Sequence, residues 1–155
     1  MTTESIAEGT RAYVLQPEEG QILENLHVRL MATNALTGGA LMAIECVNPG
    51  PGGPPLHTHY SHDELYVVTQ GRYRFKLGEE EFEGGPGTFG YVPRGTAHTF
   101  ASVGPEEGRI VGITLPGLEG FLQQMSEMQD RGVDQSEMVG LFREYDSEIN
   151  GPPLV

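Results

Sequence analysis

"PPLHTHYSHDELYVVTQG", residues 54–71, sets three histidines and two acids in the eight positions 57–64 and then turns apolar. On an extended chain, residues two apart point to the same side, about 6.6 Å apart along the strand. His57 and His59 therefore face one way and Thr58 the other. Imidazoles at that separation can lean toward one ion at the usual metal–nitrogen distance of about 2.1 Å. Glu64 opens the next apolar run, and a bend through Tyr60, Ser61, His62 and Asp63 can return its carboxylate to their side. The stretch is either a histidine-rich polar turn or three donors of a metal site that needs a fourth. His62 reads as an exposed or supporting histidine of the bend, and Asp63 as a surface acid.

Strand signals surround this stretch. "RAYVLQ" (11–16) reads as a first strand stopped by Pro17, after a loose tail over residues 1–10. "LHVRLMAT" (26–33) alternates with the period of two of a strand, and "ALMAIECV" (40–47) is an apolar run of strand length. "NPGPGGPP" (48–55) is too rich in Pro and Gly for anything but a loop. After "ELYVVTQG" (64–71), Gly71 marks a tight turn because it tolerates positive φ. "RYRFKL" (72–77) alternates strictly and "GEEEFE" (78–83) returns as a hairpin. "TFGYVP" (88–93), "AHTFASV" (97–103) and "RIVGITL" (109–115) complete eight or more short strands.

From Leu118 the apolar spacing changes to three and four, the period of an amphipathic helix. It runs through "GLEGFLQQMSEM" (117–128) and "DQSEMVGLFREY" (134–145), the second opened by Asp134 with Glu137 in a capping-box pattern. Strands followed by helices predict one β-barrel or sandwich with helices packed on its outside.

At 155 residues the chain has the size of one domain able to bury about 70% of its unfolded surface. The 22 Gly and 11 Pro sit between the apolar runs, as in a protein of many strands and turns. A formal net charge of −13 repels nucleic acid and anionic membranes. Cys46 is the single cysteine, so no intrachain disulfide forms. No signal-peptide pattern or bilayer-length apolar run is seen, and the expected location is the cytoplasm.

A resemblance closes the choice left open above. His57-x-His59, four residues, Glu64, six residues, Gly71 resembles the first motif of the cupin superfamily. Gly87, five residues, Pro93-x-Gly95, two residues, His98 resembles the second. The Gly-Pro-Gly-His part alone is expected by chance about 5 × 10⁻⁶ times per starting position. Two positions depart from the pattern: Pro51 stands where the first motif usually has Gly, and Ser102 where the second often ends in Asn.

The resemblance implies a mainly β fold, a small antiparallel cupin (jelly-roll) barrel with two C-terminal helices outside. The single domain would span 1–155, with its barrel core about 11–116 and a helical segment about 117–147. His57, His59, Glu64 and His98 would point into the lumen and hold one divalent transition metal ion: Fe, Mn, Ni, Co or Zn. Tyr66, Phe100 and Met42 would line a substrate pocket.

The pattern is most similar to the quercetinase-like single-domain cupins. It implies a dioxygenase for an aromatic, polyphenol or polyketide-like small molecule, in which Glu64 takes a substrate proton. The alternatives are a metal-dependent isomerase, cyclase or decarboxylase, and a cupin that binds a small molecule without chemistry. A homodimer is expected, with residues 12–16 crossing to the partner.

Overall fold

Alternation of apolar and polar residues builds eleven strands among the described residues, 11–154 of this computed structural model. The tail expected at residues 1–10 lies outside the described residues. The strands begin with β1 (Gln21–Leu23), β2 (Val28–Ala32), β3 (Met42–Asn48), β4 (Leu56–His59), β5 (Asp63–Gln70) and β6 (Tyr73–Leu77). They continue with β7 (Glu80–Gly84), β8 (Phe89–Val92), β9 (His98–Ser102), β10 (Gly108–Leu115) and β11 (Ser147–Gly151). One short helix, α1 (Asn34–Thr37), precedes β3, and two longer ones, α2 (Phe121–Arg131) and α3 (Gln135–Glu144), follow β10. None is long and apolar enough to cross a membrane.

The strands form two antiparallel sheets, ordered β1-β2-β3-β10-β5-β8 and β11-β4-β9-β6-β7. They face each other as a two-sheet jelly roll rather than closing into one continuous barrel. Tyr66, Val68 and Ile110 of the first sheet meet Tyr73, Phe75 and Phe100 of the second in one core cluster. A second cluster packs Leu30 and Met42 of the first sheet against Phe121, Leu122, Leu141 and Phe142 of the helices. The helical stripes read from the sequence thus become the lid of the sandwich. Burying each such Phe or Leu contributes roughly 1.5–3 kcal/mol. Asp134 caps α3 as its spacing predicts, accepting from the Glu137 N–H at 2.9 Å.

Two local readings change and a third, the tight turn at Gly71, is extended. Residues 11–16 form no strand: Val14 is 81% exposed, Tyr13 is tied to the Met31 carbonyl by its hydroxyl (2.7 Å), and pairing begins only at Gln21. Leu15 is half-buried, but Tyr13 and Val14 stay exposed and the segment joins no sheet. Gly71, at φ +77°, serves a crossover, because β5 lies in the first sheet and β6 in the second. β11, absent from the sequence reading, pairs with β4 so that Ser147 lies opposite His59 and Ile149 opposite His57.

The proline- and glycine-rich loop before β4 packs tightly against β9. A Cβ at Gly53 would lie 1.9 Å from the Phe100 carbonyl oxygen, whereas one at Gly50 meets nothing within 4 Å. Gly53→Ala should therefore cost about 2 kcal/mol or more in urea unfolding, in the upper part of the overpacking range. Gly50→Ala should stay within about 0.5 kcal/mol of the natural chain. Equal shifts for the two would contradict the close approach.

Candidate metal centre

β4 carries His57 and His59 on one face, and its pairing with β9 sets His57 opposite His98. The His57 and His98 ring centroids are 4.4 Å apart, and those of His57 and His59 are 4.9 Å apart. All three histidines belong to the second sheet. Glu64 comes from the first, in a cross-strand row with Met42, Thr114 and Val92. One donor atom from each of His57, His59, Glu64 and His98 lies within 4.8 Å of the other three, and all four residues are buried.

Each ring is held from behind. His57 Nδ1–H donates to the Pro55 carbonyl (2.7 Å) and His98 Nδ1–H to the Thr96 carbonyl (2.8 Å), both two residues back along the chain. His59 Nδ1 lies 2.6 Å from Ser147 Oγ. In a neutral ring, a nitrogen that donates outward leaves Nε2 with the lone pair that an ion needs. Gly95 sustains the loop that aims His98: at φ +85° it donates its N–H to the His59 carbonyl at 2.8 Å. Asp63 pairs with Arg94 of that loop (3.1 Å).

The electrostatics centre on Glu64. Its Oε1 and Oε2 lie 3.0 Å from Nε2 of His59 and of His98 respectively. Burial pushes the carboxyl up, but hydrogen bonds from the two rings outweigh it and hold Glu64 well below the usual carboxylate range. Burial pushes His98 down, and the Glu64 carboxylate more than reverses this, so His98 stands raised. His57 has no such contact; burial, then its neighbours His98 and His59, press it down to about 3. Tyr66 donates its hydroxyl to Glu64 Oε2, and burial followed by that carboxylate's charge keeps the phenol protonated.

These four donors fit a divalent transition ion. Neutral imidazoles and one carboxylate suit the borderline metals from Mn to Zn. They open onto a cavity of about 620 Å³. Met42, Tyr66 and Phe100 line it, as do Phe121 and Phe142, whose rings stand 6.5 Å from His59 and 5.8 Å from His57. Among the described residues no Lys or Arg lines the cavity, and Glu64 is its single acid.

Residues 43–114 match the family model described as a cupin domain. That stretch is similar to cupin domains. Over 128 residues, 79% of this chain, the sequence is 28% identical to quercetin 2,3-dioxygenase of Bacillus subtilis, and the match covers 37% of that protein. The chain thus spans little more than a third of that relative's length. It is 27% identical over 99 residues to an uncharacterized protein of Methanocaldococcus jannaschii, covering 64% of this chain and 76% of that one. An RmlC-like cupin from Shewanella frigidimarina shares the fold, with a TM-score of 0.58 at 19% identity over 72% of this chain and 96% of that one.

The structure brings His57, His59, Glu64 and His98 together and sets Met42, Tyr66 and Phe100 along the cavity beside them. His62 stays outside the cluster, its ring 6.3 Å from that of His59. Ser147 was missed because the strand that carries it was missed. Thr114, opposite Glu64 in the ladder, was also missed; its buried hydroxyl has no hydrogen-bond partner.

Protein purified without a histidine tag should carry a divalent metal. His98→Ala should lose affinity by more than the roughly 10–100-fold that an outer partner is worth, while His62→Ala retains it; chelator competition measures both. Burial, then Glu64 and Glu45, push the Cys46 thiol up to about 12, so it is the neutral thiol at any ordinary pH. Iodoacetamide should label it slowly in the folded protein even at about pH 9, above the free-cysteine value of roughly 8.5, and rapidly in urea.

Proposed function

We propose that the protein is a metal-dependent oxygenase acting on an aromatic small molecule of polyphenol or polyketide type. The supporting observation is a buried cluster of three imidazoles and one carboxylate at the base of an apolar cavity free of cationic side chains. The walls offer an anionic group no cationic side chain, so its charge could pair only with the bound ion. A flat aromatic molecule with a few hydroxyls matches the Phe, Met and Ile faces, and 620 Å³ lies within the usual range of roughly 300–1,000 Å³ for ligand pockets. The likeness to quercetin 2,3-dioxygenase of Bacillus subtilis supports a polyphenol.

His57, His59 and His98 would hold the ion through Nε2, and Glu64 through a carboxylate oxygen. The bound ion would supply Lewis acidity toward the substrate's oxygens. Glu64 takes the substrate hydroxyl's proton. Tyr66 donates to Oε2, which orients the group and leaves Oε1 for the proton. Phe121 and Phe142 keep water from this end of the cavity.

Protein reconstituted anaerobically with Fe²⁺, Mn²⁺, Co²⁺, Ni²⁺ or Zn²⁺ should consume oxygen with at least one member of a polyphenol and polyketide panel. Glu64→Ala should lower kcat by about 10²–10⁴, the usual contribution of a general base. The same ligand should still raise its Tm by mass action. Turnover without oxygen would indicate an isomerase or decarboxylase instead, and a ligand bound but returned unchanged would indicate a binding protein.

A further inference from the structure

We propose that Ser147, on the strand that follows the two helices, is a positioning residue of the metal centre. Its hydroxyl fixes the tautomer and ring plane of His59. This rests on reading the four buried donors as a metal centre, and not on the identity of the substrate.

The three histidines are held unequally. His57 and His98 each donate Nδ1–H to a main-chain carbonyl two residues back, a partner that their own loop carries with it. His59 has a side chain instead, Ser147 Oγ at 2.6 Å, eighty-eight residues away in sequence. The hydroxyl's one proton is already committed, because Ser147 Oγ donates to the Tyr145 carbonyl at 3.0 Å. Toward His59 it can therefore only accept. With an ion in place of the Nε2–H that reaches Glu64 at 3.0 Å, the His59 proton would sit on Nδ1 and the Nε2 lone pair would face the ion. A hydroxyl free to rotate could donate to Nδ1 instead, putting a hydrogen on Nε2, where it would bar an ion.

The carbonyl that directs this hydroxyl belongs to Tyr145, the residue at the C-terminal end of α3. Tyr145 packs its ring on Phe121 of α2 at 5.1 Å. The docking of both helices thus reaches His59 through one hydroxyl, although none of the four donors lies C-terminal to residue 98. Ser147 is 3% exposed, so water cannot readily replace it. By thermodynamic reciprocity, an ion held by His59 must in turn secure β11.

The test uses Co²⁺ as the probe in the full chain. Ser147→Ala should bind Co²⁺ about 10–100-fold more weakly and shift the visible absorption of the Co²⁺ protein. Ser147→Thr, which keeps a hydroxyl, should recover most of both. A purely structural role would lower the urea midpoint of Ser147→Ala and leave the spectrum unchanged, and that result overturns the proposal. If Ser147→Ala does not fold, hydrogen exchange on the natural chain decides. Co²⁺ should slow exchange of the amides of residues 147–151, and unchanged rates would overturn the proposal. A natural chain that takes up no Co²⁺ rejects the metal centre itself. Binding that Ser147→Ala leaves intact rejects only the role of Ser147.

Discussion

The Glu64 carboxylate reaches across the gap between the two sheets to imidazoles that belong to the other sheet, and the surrounding structure answers to that contact. A lone buried carboxylate costs several kcal/mol even after relaxation. Here His59, His98 and Tyr66 all reach it. Partners that compensate a buried charge must themselves be fixed, so each imidazole is anchored at its far nitrogen. The anchors of His57 and His98 require loops that turn sharply just before a strand, whereas that of His59 is Ser147. The Pro54-Pro55 step before β4 and the Pro93-x-Gly95 turn before β9 supply them, and Gly95 sits at a φ that other residues resist.

The same contact explains how charge is distributed. The chain carries 22 acids, yet among the described residues Glu64 alone lines the cavity. Glu45, one residue from Ile44 on β3, faces the opposite side of its sheet and pairs there with Arg29 and Arg109. Dry walls strengthen any interaction at the centre, because the effective dielectric is low. Gly112 contributes to this: lacking a side chain, it lets the Tyr66 ring lie across β10, within 3.3 Å of where a Cβ would stand. The phenol is thereby brought to Glu64 without opening the wall to water.

Much of this was legible in the sequence, and the parts that were not share a physical reason. Strict alternation in 72–77 and the spacing of three and four beyond Leu118 mark β6, α2 and α3, because those elements bury one face against a core. His57 and His59 were legible because residues two apart on a strand must share a face, and Glu64 and His98 joined them through the resemblance of the spacing to the cupin motifs. β11 was illegible: "SEING" has one large apolar residue, and the strand exists because β4 offers it an edge. Ser147 was illegible with it, since a lone serine carries no periodic signal. Residues 11–16 err in the other direction. Their composition suits a strand, but Tyr13 and Val14 stay exposed, and β propensity expresses packing more than backbone preference. The change of sheet at Gly71 was hidden too, because a positive φ serves a crossover as well as a hairpin.

The division between what the cupin match covers and what it leaves out bears on specificity. All four donors, Met42's neighbour Ala43 through Phe100, and the loop that aims His98 fall within residues 43–114 or at their border. The groups that roof the cavity do not: Leu118, Phe121, Leu122, Met125 and Phe142 follow it, as does Ser147 behind His59. A centre of fixed donors dictates what an ion can do to an oxygen, whereas the roof dictates which molecule presents that oxygen. Two cupins with the same three histidines and glutamate can therefore differ in substrate through their C-terminal helices alone. In this chain those helices place two phenylalanine rings beside the histidines and no cation. The apolar roof over the donors thus comes from a segment that lies outside the family match.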